Sequence, residues 1–341
     1  MPANLSPEYK TAEAAFRQAR EPRDRLHCLR EMLRTIPKHK GTEHLQADIK
    51  SRIKQLTDEL TGPKKGAARG GPPTVIHPEG AAQIALLGPP NSGKSALHVR
   101  LTHSHAHVGP YPFTTQFPQP GMLPYEDIHF QLVDLPPVST AHTVPWLYNV
   151  LQPADACLLV VDLNDPECLE QMAELHRILN EKRIFLTSEW GRELAAEGEG
   201  ATLFPDPFSL FLPTLMIDDK IDLTASPDEE LEVFQELTGL EYPVLEVSCE
   251  TGQGLDRIGP WLFRRLGIVR VYSKAPGRPP DKDRPFTVRQ GQTVYDVALQ
   301  VHREIADSLK YARVWGKGHF NGQQVGKEHP VADGDVLELH V

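Results

Sequence analysis

The spacing of apolar residues changes character three times along the chain. Leu26, Leu29, Leu33 and Ile36 recur every three or four positions, stop at Pro37 to Gly41, and resume as Leu45, Ile49, Ile53, Leu56 and Leu60. This period predicts two amphipathic helices, each with one apolar stripe, and Thr42 stands where it can cap the second. One stripe per helix predicts an antiparallel hairpin, or a face docked on another domain. Residues 61–80 are rich in Gly, Pro, Lys and Ala and carry no period, which predicts a flexible connection.

From residue 81 short apolar runs alternate with helical patterns. The runs at 84–87, 128–133, 156–161, 214–217 and 244–247 are strand candidates, and the alternation predicts an α/β domain over 81–267. Acidic, Gly- and Pro-rich sequence over 189–213 interrupts the alternation and reads as an insertion. A second Pro- and charge-rich stretch covers 273–285. Beyond it come a short strand at 286–288, a helix at 293–304 and a closing strand at 336–340. That compact β-rich unit with one helix suits a small β-grasp domain over 268–341 better than an extension of the parallel sheet.

The run Gly88-Pro89-Pro90-Asn91-Ser92-Gly93-Lys94-Ser95 fits the phosphate-loop pattern G-x-x-x-x-G-K-[S/T] at every fixed position. Its glycines let the backbone curl and aim successive N–H groups at a phosphate chain. Lys94 supplies an ammonium for the β- and γ-phosphates, and the Ser95 hydroxyl is a Mg²⁺ ligand. A buried strand before the loop and helical spacing after it (Ala96, Leu97, Leu101) are the context this chemistry requires. A chance glycine loop between core elements is the competing explanation, and the context weighs against it.

The loop alone does not choose between an ATPase, a GTPase and a small-molecule kinase. Asp134 ends the apolar run 128–133, where phosphate-loop proteins hold Mg²⁺ through water. Thr114 and Thr115 lie between the first helix and that strand, where a switch hydroxyl can reach Mg²⁺ and the γ-phosphate. Asp219-Lys220-Ile221-Asp222 follows a later strand and resembles the guanine motif N-K-x-D. A carboxylate at Asp222 can accept both the N1–H and N2–H of guanine, which adenine cannot offer. Ser248-Cys249-Glu250 ends a further strand where GTPases place S-A-K, and there the Cys249 N–H would meet guanine O6. An ordinary strand-end turn is the plainer account of that tripeptide. The order of the two motifs favours GTP over ATP. A kinase would need an acceptor pocket and lid that the sequence does not display.

Charge adds an asymmetry. The net charge is −10 over 341 residues, enough chain for two or three domains. Residues 1–70 carry 15 Lys+Arg against 9 Asp+Glu, 71–267 carry 10 against 28, and 268–341 carry 11 against 9. Lys38, Lys40, Lys50, Arg52 and Lys54 cluster near the helical turn. A basic arm on an acidic nucleotide domain suggests that the ends meet a polyanion, although a solvated helical surface produces the same counts. The four cysteines, Cys28, Cys157, Cys168 and Cys249, lack metal or disulfide spacing, which points to a reducing cytoplasm. No apolar run reaches membrane-spanning length and no secretory signal pattern opens the chain, so no membrane partner is expected. His103, His105 and His107 alternate, as three ligands on an extended segment could, but metal binding needs fixed geometry and further ligands, and an exposed polar loop is the better reading.

With these residues in place the chain resembles the DRG family of the Obg-type GTPases from about Arg23 to Val341. Residues 36–53 (IPKHKGTEHLQADIKSRI) resemble the family's N-terminal helical hairpin over 1–60. Tyr111-Pro112-Phe113-Thr114-Thr115 resembles its switch I signature, with the shared threonine at Thr115. The segments 269–272 (VRVY), 311–316 (YARVWG) and 325–329 (VGKEH) resemble the TGS domain that ends DRG proteins. The resemblance implies GTP as ligand, Mg²⁺ as cofactor, Lys94 and Thr115 as catalytic groups, and work beside the ribosome or RNA. It implies a nucleotide site of Gly88, Asn91, Ser92, Gly93, Lys94, Ser95, Asp219, Lys220, Asp222, Ser248 and Cys249. Ser95, Thr115 and Asp134 would hold the metal. Some relatives with asparagine at the position of Asn91 use it to coordinate K⁺, so K⁺ stimulation is an expectation. Asn91 as a simple loop cap is the alternative.

Two departures bear on this expectation. The family's D-x-P-G is Asp134-Leu135-Pro136-Pro137 here, and proline has no N–H for the γ-phosphate. Asp219 replaces the asparagine of N-K-x-D, so its carboxylate would face the guanine N7 and O6 acceptors without a donor unless protonated or turned away, and weaker guanine binding, not its loss, is expected. Val138 stands where some GTPases keep a water-orienting glutamine. These departures leave open a nucleotide-binding scaffold without catalysis beside the slow GTPase.

Overall fold

The computed structural model describes residues 5–19, 22–61, 76–103, 117–140, 146–190 and 208–341. It divides into two compact units, one of residues 1–78 and 202–209, the other of 79–201 and 210–341.

Among the described residues the first unit contains three α-helices, α1 (Pro7–Gln18), α2 (Pro22–Thr35) and α3 (Glu43–Thr61). Sequence spacing predicts only the last two. The apolar face of α1 is built from Tyr9, Ala12 and Phe16 rather than a leucine ladder, so its period is weak. Its start is nevertheless well specified, since Ser6 accepts the Tyr9 N–H at 3.1 Å and Pro7 occupies the first helical position. Tyr9, Phe16, Leu29, Met32, Ile36 and Ile49 form the core. Phe208, distant in sequence, completes it. Its ring meets Phe16 edge-on at 6.0 Å, and the Arg52 guanidinium lies 4.2 Å over it.

The second unit begins with a largely parallel sheet. Its strands are β1 (Gln83–Leu87), β2 (Gln119–Tyr125), β3 (Ile128–Asp134), β4 (Ala156–Val161), β5 (Ile184–Thr187), β6 (Leu210–Asp218) and β7 (Val244–Glu246). Their order is β2-β3-β1-β4-β6-β5, with β7 also on β6. β5 pairs with the first half of β6 and β7 with the second, so one long strand carries two short ones. The central strands are buried on both faces, which is why they read as continuous apolar runs. The helices of this region are α4 (Lys94–Thr102), α5 (Leu147–Leu151), α6 (Cys168–Glu181), α7 (Pro227–Thr238) and α8 (Ile258–Arg265).

Two strands escape the sequence pattern. β2 contains Pro120, Gly121 and Pro124, residues tolerated only because it is an edge strand, antiparallel to β3. β5 is four residues long. Residues 210–213, placed by sequence in the insertion, are instead the start of β6, and Trp190 packs into the main core. Residues 191–207 lie outside the described residues.

A second sheet follows directly, with β8 (Ile268–Ser273), β9 (Asp281–Arg289), β10 (Tyr311–Trp315), β11 (Gln323–Val325) and β12 (Asp335–His340) in the order β11-β10-β12-β8-β9. The helices α9 (Val294–Val301) and α10 (Arg303–Ser308) bring Val294, Val297, Ala298 and Ala306 into its core. The predicted single helix therefore breaks at His302, and β9 begins five residues before the predicted strand. Arg270 of β8 joins this sheet to the turn between β2 and β3, donating to Asp127 at 3.0 Å and also to Glu126. Tyr272 donates to Asp127 at 2.5 Å, and Arg289 pairs with Asp155 at 2.9 Å.

Candidate nucleotide site

The ends of β1, β3, β4 and β6 converge on one edge of the parallel sheet, where such folds place their ligands. β1 ends at Leu87, the loop 88–93 turns, and α4 begins at Lys94, anchored by buried Leu97 and Leu101. The turn needs unusual backbone geometry. Gly93 has φ 95°, and Asn91 also takes a left-handed φ of 60°. Gly88 approaches the β4 backbone so closely that a Cβ there would meet the Val160 carbonyl oxygen at 2.3 Å.

Lys94 is 6% exposed. Its Nζ donates to the Pro89 carbonyl at 2.6 Å and to Ser92 Oγ at 3.4 Å. Burial pushes its pKa down to about 8, against the nearby Asp134 charge. The ammonium is thus folded into the loop that a phosphate chain would fill. Ser95 Oγ donates to Asp134 Oδ2 at 2.7 Å. A hydroxyl and a carboxylate, both hard oxygen donors and in direct contact, fit the expected Mg²⁺. Thr114 and Thr115 lie outside the described residues, as do His105 and His107. His103 is the left-handed residue that ends α4, with φ 53°.

Beyond Asp134 the chain from Leu135 to Ser139 is buried, and the Val138 N–H donates to the Gly88 carbonyl at 3.4 Å. Pro137 thus passes close to the phosphate loop with no N–H to contribute. Val138 is 3% exposed and is a packing residue.

Facing the loop are the segments after β6 and β7. Lys220, left-handed with φ 68°, sends its Nζ to the Asn91 carbonyl at 3.0 Å and to Asp162 Oδ2 at 2.6 Å. Asp222 accepts the Ser248 hydroxyl. Asp219 Oδ1 accepts the Cys249 N–H at 2.9 Å. Its Oδ2 presses on Gly93, where an added Cβ would lie 2.1 Å away. Burial raises the Asp219 pKa, opposed by hydrogen bonds from the Cys249 and Lys220 backbone. Asp218 is raised to about 7, chiefly by burial and then by Glu246, Asp162 and Glu230. Arg100 on α4 donates to the Cys249 carbonyl at 2.6 Å and to the Glu250 carbonyl at 2.5 Å, fixing the last turn.

The described site residues expected from sequence therefore meet at one edge. Asp162, Arg100 and Asp218 were missed. Asp162 was findable, because it directly follows the apolar run 156–161 and so must end at the same edge as Asp134.

Residues 83–189 match the family described as 50S ribosome-binding GTPase, and residues 269–341 match the TGS domain. A GTP-binding protein of Methanocaldococcus jannaschii is 27% identical over 368 aligned residues, covering 93% of this chain and 92% of its own. Developmentally-regulated G-protein 1 of Arabidopsis thaliana is 28% identical over 360, covering 91% and 88%. Developmentally-regulated GTP-binding protein 2 of Homo sapiens is 25% identical over 360, covering 91% and 96%.

Proposed function

We propose that this chain, a homologue of the DRG-family GTP-binding proteins that joins a GTPase domain to a TGS domain, is a slow Mg²⁺-dependent GTPase switching ribosome- or RNA-associated work in the cytoplasm. The observation that carries the catalytic part is the 2.7 Å contact between Ser95 and Asp134 beside buried Lys94. Ser95, Thr115 and Asp134 (through water) would hold Mg²⁺, which supplies positive charge at the β- and γ-phosphates.

The chain's own contribution is electrostatic positioning. Lys94 exchanges its carbonyl partner for phosphate oxygens, and the loop N–H groups stabilise charge on the transferring phosphoryl group. Asp222 accepts the guanine N1–H and N2–H, exchanging its Ser248 contact for the base. With buried Val138 at the glutamine position, no described side chain orients water, so intrinsic turnover is slow. K⁺ held near Asn91 is part of the proposal, with Asn91 as a simple loop cap the alternative, and the left-handed backbone of Asn91 suits either.

The basic residues of 1–70, together with the TGS domain, are the proposed contacts to RNA or ribosome. Among the described residues no helix is long and apolar enough to cross a membrane. A second reading, a nucleotide-binding scaffold without catalysis, is favoured by Pro137 lying beside the loop without an N–H. Single-turnover hydrolysis of GTP by pure protein, in K⁺ and in Na⁺, decides between them. A rate above that of Lys94→Ala and higher in K⁺ is expected, and equality with Lys94→Ala supports the scaffold.

A further inference from the structure

Asp219 is 1% exposed and wedged between two loops. One carboxyl oxygen accepts the Cys249 N–H at 2.9 Å, and the other abuts Gly93 of the phosphate loop. Resting on the guanine reading above, that same Cys249 N–H is the donor for the base's O6. One N–H cannot serve an ionised carboxylate and O6 together at full strength, and the two acceptor oxygens repel each other. Water is a poor remedy for the conflict, because the carboxyl is buried.

A proton on the carboxyl removes it. The protonated group donates where an asparagine would, and its remaining oxygen stays an acceptor. The charged and titratable groups around it are mixed. Lys220 and Asp222 share its loop, Asp218 ends β6, and Lys94 follows Gly93. Asp162 takes the Lys220 ammonium. The Cys249 thiol and Glu250 lie on the opposite turn, with Arg100 bonded to both carbonyls. Burial raises the pKa of Asp219 before any base arrives, so a proton is taken up there at less cost than by an exposed carboxylate.

We propose that guanine-nucleotide binding draws one solvent proton onto Asp219, so that this residue sets a pH-dependent affinity for the base. Calorimetric titration of the full chain with GDP and Mg²⁺, in buffers of different ionisation enthalpy near pH 7, counts the protons taken up. The wild type is expected to take up more protons than Asp219→Asn, by a difference approaching one. Its affinity should fall by up to about tenfold per pH unit across the window where free Asp219 ionises, whereas Asp219→Asn is flatter and tighter. GDP binding with no proton uptake by the wild type, or equal uptake by both proteins, overturns the inference and leaves the guanine site standing. Absence of binding of GDP and GTP to either protein overturns the guanine site itself and this inference with it.

Discussion

The phosphate half and the base half of the site occupy the same sheet edge but are made of different material. The phosphate half is backbone geometry, with Gly88, Asn91 and Gly93 in unusual conformations and a single cation, Lys94, tucked inside. The base half is side-chain carboxylate, with Asp162, Asp218, Asp219 and Asp222 gathered around Lys220 and the 248–250 turn. The backbone of the cradle does not titrate, and its pH response rests on Lys94. In the carboxylate cluster burial raises the pKa of both Asp218 and Asp219, so its behaviour depends on where a proton sits and on which partner each oxygen holds.

Four measurements test this division. Lys94→Ala removes the cation of the phosphate half, and GTP affinity or single-turnover rate should fall by about 100-fold or more. Retention of both would mean the cradle acts without it. Asp222→Asn strikes the base half, and GDP affinity should fall about 10-fold to 100-fold while pyrophosphate affinity holds, because only the base loses a charged acceptor. An equal loss of pyrophosphate would show the two halves are not separable.

The third is pH. With Lys94 near 8, the free protein gives up this proton above that pH, whereas phosphate charge beside the ammonium would hold it. Nucleotide affinity should therefore decline above about pH 8, by up to tenfold per unit. Stability has the opposite sign. An unfolded lysine holds its proton to about 10.4, so from about 8 to 10.4 the unfolded chain binds more protons and the nucleotide-free fold gains stability as pH rises. Thermal melts and titrations over that range check both slopes.

The smallest effect concerns Asp218. Its folded pKa of about 7 lies above that of the unfolded chain, so the fold holds the extra proton between about 4 and 7 and loses stability as pH rises through that window. Asp218→Asn should stabilise the protein by about 1–2 kcal/mol at pH 8 and little at pH 4, read by denaturant melts.

The same division explains what could be read from sequence. The phosphate loop was legible because its glycines, lysine and serine are contiguous and each is required by local geometry. The central strands were legible because burial on both faces leaves unbroken apolar runs. β2 was not, since an edge position permits the prolines that normally mark a turn. The base half was half legible. Asp219 and Asp222 follow a recognisable strand, but the hydrogen bond from Cys249 joins residues 30 apart and exists only once β6 and β7 are paired. α1 was missed because its apolar face relies on two aromatics and an alanine, and because Phe208, which it packs against, arrives from far along the chain.

Because Phe208 belongs to the helical unit, the chain crosses between the two units three times. The chain passes to the other unit after residue 78, builds five strands of the parallel sheet, and comes back to deposit Phe208 before starting β6. A single break in the chain between α3 and β1 would therefore leave the helices plugged by a residue still attached to the second unit. A fragment ending at residue 61 would lack that plug and expose Phe16 and the underside of Arg52. The two units are in this sense laced rather than strung together.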